Sequence, residues 1–212
     1  MTDEYYNLKI LNIISVFDEE FGDIEWWPAN PQEVMAGSVL TQQTRWQNVL
    51  TALENLKSCG ICSFEDIIKA PDETIQGCIR CTGFYRMKTK RLKAFAEFYC
   101  EKSEISGYWE KEDTAKIRKD LLLVNGVGSE TADSILCYAL DRNSFVIDAY
   151  TENICSCAGI PLKKDKLKEV VEGAIRPENS FYKKFHGWFV EYAKKYCNKG
   201  ECENCKIRNL KR

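Results

Sequence analysis

The sequence predicts an all-α fold, and three observations predict it. Apolar residues recur at helical spacing, first at Ile10, Ile13, Ile14 and Phe17. Near the other end of the chain, Phe181, Phe185, Trp188, Phe189, Tyr192 and Tyr196 share one broad helical face. No alternation of apolar and polar residues lasts long enough for a strand, and no internal repeat is visible.

The elements follow in order. The first helix carries the stripe from Ile10 to Phe17, and Pro28 and Pro31 break the chain after it. Residues 31–56 read as two helical stretches that meet near Leu40-Thr41-Gln42-Gln43-Thr44. Helices are then predicted over 64–69, 72–78, 86–102 and 114–124. A short turn built on Gly126-Val127-Gly128 leads to a helix whose body is 132–140. Asp148 stands at the N-cap of the next helix, and 167–175 and 181–196 follow.

A chain of 212 residues, 44% of them hydrophobic and only five of them proline, can bury a sizeable core as one domain or two small ones. No run is long and apolar enough to span a membrane. The acidic start Met1-Thr2-Asp3-Glu4 lacks a signal-peptide pattern, so a cytoplasmic location is expected. Eleven cysteines, an odd number in a chain of this size, are expected to be reduced thiols. The net charge of −2 counts mildly against a nucleic-acid partner, but local charge matters more. Arg86, Lys88, Lys90, Arg91 and Lys93 form one basic run; Lys163, Lys164, Lys166 and Lys168 form another; Lys183, Lys184, Lys194 and Lys195 form a looser third. Each is either a solvated helix face or a phosphate-contacting one.

The segment from Val124 to Asp133 carries the most chemistry. Glycines let the backbone turn sharply and leave its N–H groups uncovered. At a helix N-terminus such N–H groups form a nest for an anion. A helix–hairpin–helix of this kind grips a nucleic-acid phosphate without reading sequence. Asp148 follows eighteen residues after Glu130, in Phe145-Val146-Ile147-Asp148-Ala149-Tyr150. A carboxylate held at such a place can stabilise positive charge that builds on a bound group. Taken alone, Asp148 is equally an N-cap residue, and Glu130 a first-turn acid that complements the helix dipole.

The hairpin followed by Asp148 at this separation resembles the endonuclease III superfamily of helix–hairpin–helix DNA glycosylases. The resemblance implies two α-helical domains with an interdomain cleft. One would be a six-helix barrel of residues 31–142; the other would join residues 1–30 to 143–212. It implies that Asp148 is catalytic and that Gly126, Val127, Gly128 and Ser129 bind DNA. Lyase members carry a lysine where this chain has Glu130, and that lysine attacks the sugar to form a Schiff base. A carboxylate cannot, so a monofunctional glycosylase without AP lyase activity is expected.

Glu25-Trp26-Trp27-Pro28, the Thr41-Gln42-Gln43-Thr44 turn with Trp46 after it, and the Gly-Ser-Glu-Thr-Ala-Asp form of the hairpin are together similar to the 3-methyladenine DNA glycosylase III subgroup. By that likeness Trp26, Trp27 and Trp46 line the base pocket, and Gln42 fills the gap left by a flipped nucleotide. A cationic alkylated purine would gain stacking and a cation–π term there. Any one of these tryptophans is equally a core residue. Gly83-Phe84-Tyr85-Arg86-Met87-Lys88 resembles a superfamily segment in which the lysine, here Lys88, would contact a phosphate. The expected substrate is damaged double-stranded DNA carrying alkylated purines such as 3-methyladenine, acted on by a monomer. Mismatched uracil or thymine, or adenine, are alternative targets, and a non-catalytic damage-binding module is an alternative class.

No cofactor is expected to be required for catalysis. Many superfamily members hold a 4Fe–4S cluster on cysteines spaced Cys-x6-Cys-x2-Cys-x5-Cys. Cys197, Cys202 and Cys205 look like its remnant, but the first gap is four residues and Lys211 stands where the fourth ligand would be. Cys59-x-x-Cys62 and Cys78-x-x-Cys81, fifteen residues apart, have zinc-ribbon spacing, and read equally as ordinary thiols. His186, the only histidine, lies among aromatics and is expected to pack or cap, outside the site.

Overall fold

The computed structural model describes residues 3–24 and 30–210, and among them every regular element is helical. The chain divides into two compact units, one of residues 1–28 with 141–212 and one of residues 29–140. The first unit opens with α1 (Asp3–Phe21).

The second unit runs through α2 (Pro31–Leu40), α3 (Trp46–Ser58), α4 (Phe64–Lys69), α5 (Asp72–Ile79), α6 (Tyr85–Ser103), α7 (Tyr108–Lys111), α8 (Thr114–Leu121) and α9 (Ser129–Ser134). α9 continues as a π turn over Ile135–Ala139. α2 starts where Asn30 accepts from the Glu33 N–H and Pro31 pre-sets the first helical φ. Its Val34, Met35, Ala36, Gly37, Val39 and Leu40 are all buried, so it is a core helix enclosed by α3, α6, α9 and the π turn. α3 buries Val49, Ala52, Leu53 and Leu56, one stripe of a 3.6-residue repeat. α4 begins in a reciprocal capping box: Ser63 accepts from the Asp66 N–H, and Asp66 accepts from the Ser63 N–H.

α6 buries Lys88, Thr89, Leu92, Phe95 and Ala96. Lys88 corrects the expectation of a phosphate contact. It is 1% exposed, and its ammonium donates to the Thr82 carbonyl at 2.7 Å. Burial, then the neighbouring Arg91, push it down to about 8, against a smaller opposing effect of Cys81. It pins the turn through Gly83 and Phe84, whose φ values are +68° and +45°.

The zinc-ribbon spacing does not become a zinc site. Cys78 donates to the Cys59 sulfur at 3.3 Å, beside the C-terminal end of α3. Cys81 donates instead to the Asn48 carbonyl, in the first turn of α3. Asn48 and Cys59 are eleven residues apart on that helix, about 16 Å at 1.5 Å per residue, so the two pairs cannot share one tetrahedral ion.

The first unit resumes with α10 (Ala149–Cys157), α11 (Lys164–Ala174), α12 (Asn179–Lys195) and α13 (Lys206–Asn209). α1 packs on α11 and α12. Phe17 is the hub of that packing: its ring meets those of Phe189 at 5.0 Å, Tyr192 at 5.1 Å and Phe185 at 6.1 Å. The Trp188 indole N–H donates to the Gly22 carbonyl. The aromatic face read from the sequence is therefore the core of this unit.

Candidate active site

Two groups of candidate residues lie in the two units. In the second unit, α8 ends at Leu121, the chain turns through 122–128, and α9 begins at Ser129. Gly126 sits at φ +88°, a conformation that side chains of L-residues rarely adopt. A Cβ there would lie 2.4 Å from Cγ and Cδ of Arg91, so a side chain at this position forces Arg91 or the turn to shift. Gly128 differs: its φ is −95° and the space around it is open. As the N-cap of α9 it offers no side chain to bond the first amides of the helix. Val127 is buried, and its N–H closes the turn on the Val124 carbonyl at 3.0 Å. Ser129 is half-buried and Glu130 is exposed in the first turn.

Side chains from elsewhere in this unit hold the turn. The Gln42 amide donates to the Gly126 carbonyl at 2.8 Å and to the Thr131 hydroxyl at 3.3 Å. The Arg91 guanidinium donates to the Gln42 side-chain oxygen. Arg118 of α8 makes a two-pronged bond to Asp133 of α9, at 2.8 and 3.1 Å, with Asp133 buried. That pair ties together the two helices of the hairpin. Of the residues read from sequence, Gln42 thus touches the hairpin itself. Trp46 is half-buried at the first position of α3. Trp26 and Trp27 lie outside the described residues.

In the first unit, Asp148 is the N-cap of α10, in extended backbone. Its Oδ1 accepts from the Thr151 N–H at 2.7 Å and from the Thr151 hydroxyl at 2.8 Å. Its Oδ2 lies 3.6 Å from Nε2 of His186, on α12. The Asp148 side chain is 15% exposed and that of His186 8%. Burial works to raise the Asp148 pKa, but His186 and the Thr151 bonds outweigh it and hold the carboxyl below its ordinary value. The group is therefore an ionised carboxylate at neutral pH, still open at one edge. The histidine at its side is what the sequence reading left out. No spacing signal joins residues 148 and 186; only the packing of α10 on α12 does.

Of the positions compared with an iron–sulfur ligand set, Cys197, Cys202 and Cys205 are within the described residues and Lys211 lies outside them. Among the described residues, no three His, Cys, Asp or Glu side chains are grouped as a metal site. Cys205 shares a hydrogen bond with the Tyr192 hydroxyl at 3.3 Å, and Cys197 and Cys202 are exposed. Burial, then Cys205, Cys157 and Cys202 in turn, push the Cys197 thiol up, which places Cys157 of α10 in the same neighbourhood.

The family model described as "HhH-GPD superfamily base excision DNA repair protein" matches residues 36–177. A protein of Methanocaldococcus jannaschii assigned as a DNA repair glycosylase is 40% identical over 208 residues, covering 95% of this chain and 94% of that one. Endonuclease III of Thermotoga maritima is 25% identical, over 85% of this chain and 82% of its own. The crystal structure of H. pylori 3-methyladenine DNA glycosylase bound to 1,N6-ethenoadenine superposes with a TM-score of 0.75 at 27% identity, covering 90% of this chain and 97% of that one. An endonuclease III–DNA complex shares the fold, with a TM-score of 0.78 at 19% identity over 99% and 95% of the two chains.

Proposed function

The chain belongs to the HhH-GPD superfamily of base excision DNA repair proteins and is a DNA repair glycosylase; from that premise we propose that it is monofunctional and removes alkylated purines from duplex DNA. The observation that carries the reading is Asp148, a carboxylate held ionised at a helix N-terminus with one oxygen locked by Thr151. As the N-glycosidic bond lengthens, the sugar gains positive charge, and a fixed negative charge stabilises that state more than the ground state. The same carboxylate can orient the water that completes hydrolysis. A purine alkylated on a ring nitrogen already carries a positive charge and leaves as a neutral base, so the reaction needs no strong general acid.

Glu130 supports the monofunctional reading. It stands exposed in the first turn of α9, and a carboxylate has no amine with which to form a Schiff base. The likeness to a 3-methyladenine glycosylase at 27% identity supports the alkylated-purine class. In this reading the backbone of 126–129 holds a DNA phosphate, and Trp46 stacks on the flipped base.

The test is a set of duplexes that each carry one 3-methyladenine, uracil or thymine mismatch, or mispaired adenine. Expected are fast release of the alkylated purine, alkali-labile abasic sites and no strand nicking. Faster release of uracil or thymine would overturn the substrate class. Borohydride trapping of a covalent protein–DNA adduct would overturn the monofunctional assignment.

A further inference from the structure

We propose that His186 is a positioning residue for Asp148, its imidazole fixing the Oδ2 edge of the carboxylate so that it meets the sugar in one orientation. The proposal rests on the reading of Asp148 as the catalytic carboxylate and adds a residue to that site.

Capping alone does not require the arrangement. An N-cap aspartate satisfies the helix with one oxygen, and Oδ1 already does so through Thr151. Oδ2 takes no part in that cap, and the His186 Nε2 edge lies 3.6 Å from it. Thr151 opposes a twist about Cβ–Cγ, or an exchange of the two oxygens, at Oδ1 alone. A contact at Oδ2 opposes it at both oxygens.

Packing alone does not require it either. His186 is buried in the face of α12 that carries Phe185 and Phe189, and its ring meets that of Phe145 edge-on at 6.3 Å. An apolar residue of similar size would fill that space without removing a polar imidazole from water, which is unfavourable unless the ring gains a polar partner. Asp148 is such a partner, brought to it because α10 packs on α12. At 3.6 Å the pair is a close polar contact longer than a hydrogen bond, and catalytic contacts commonly tighten only when substrate is bound. The consequence for rate follows from geometry: a misplacement of about 1 Å at a reacting group lowers turnover by about a hundredfold.

The experiment compares His186→Leu and His186→Gln with the wild type in single-turnover release of 3-methyladenine, in affinity for an abasic-site duplex, and in melting temperature. Glutamine keeps an N–H donor near the place of Nε2; leucine keeps bulk and loses the donor. We expect His186→Leu to release base roughly ten- to a hundredfold more slowly, with abasic-site affinity unchanged within about threefold, and His186→Gln to recover most of the rate. A wild-type rate in His186→Leu overturns the proposal. So does an equal loss of rate, affinity and melting temperature in both variants, which a merely structural histidine would give. Asp148→Asn is run alongside. If it releases base normally, the reading of Asp148 fails; if it is inactive while His186→Leu is normal, only the present proposal fails.

Discussion

Two helix N-termini, one in each unit, are built to opposite ends. At α9 the N-cap is Gly128, which has no side chain and makes no side-chain cap. At α10 the N-cap is Asp148, whose own carboxylate takes the Thr151 amide. Both helix starts carry the same partial positive charge. In the proposed function the first offers it to an anion that comes from outside; the second uses it, with His186, to keep an internal anion charged. Their supports differ in the same sense. Gln42, Arg91 and the Arg118–Asp133 pair fix the shape of the α9 turn. Thr151 bonds one side chain at Oδ1, and His186 stands 3.6 Å from its Oδ2. In the proposed function the difference teaches that a helix start serves as a binding element or a catalytic one according to which side chain stands at its cap.

If the comparison is right, affinity and turnover come apart by unit. The largest effect is expected at Asp148. Asp148→Asn keeps a capping oxygen and loses the charge, so base release should fall by about a thousandfold while abasic-site affinity holds. Release near the wild-type rate would reduce Asp148 to a cap. Gly126→Ala should show the reverse pattern. Its φ of +88° and the Arg91 stem at 2.4 Å force the turn to shift, at about 1–3 kcal/mol of stability and about tenfold in DNA affinity. The release rate of the saturated complex should stay near wild type. Gly128→Ala, where space is open, is the control that should fold normally. If Gly126→Ala instead slowed release at saturation, the division of labour would break down.

The smallest effect is a pH dependence. The folded pKa of Asp148 is depressed, so the stability it contributes is present above the unfolded value, about 3.9. It is lost as pH falls through the lower folded value. The gap in melting temperature between wild type and Asp148→Asn should therefore narrow below about pH 4. A gap that stayed constant would mean that the carboxylate is not held ionised by its surroundings.

Much of this was legible in the sequence. The Gly126-Val127-Gly128 turn and the Asp148 cap are local features, set by residues next to one another, and a helical period read the aromatic core of α12. The short helices α7 and α13 carry too few residues to show a period. Lys88 was misread as surface because its neighbours in sequence are basic. The signal against that was present, since Lys88 falls on the same helical stripe as Leu92 and Phe95. Cys78 meets Cys59, but Cys81, three residues on in sequence, bonds near the other end of α3, so the zinc-ribbon spacing does not bring the four together.

By itself the sequence determined the helical class, the glycine turn, the carboxylate at a helix start and the absence of an amine at position 130. These depend on backbone preference and residue chemistry, which act over a few neighbouring residues. Only the tertiary structure decided that Arg91 closes over Gly126, that Gln42 holds the turn, that Lys88 is buried and that His186 meets Asp148. Each of those contacts joins residues from separate elements, and no period along the chain encodes which faces of two helices will pack together.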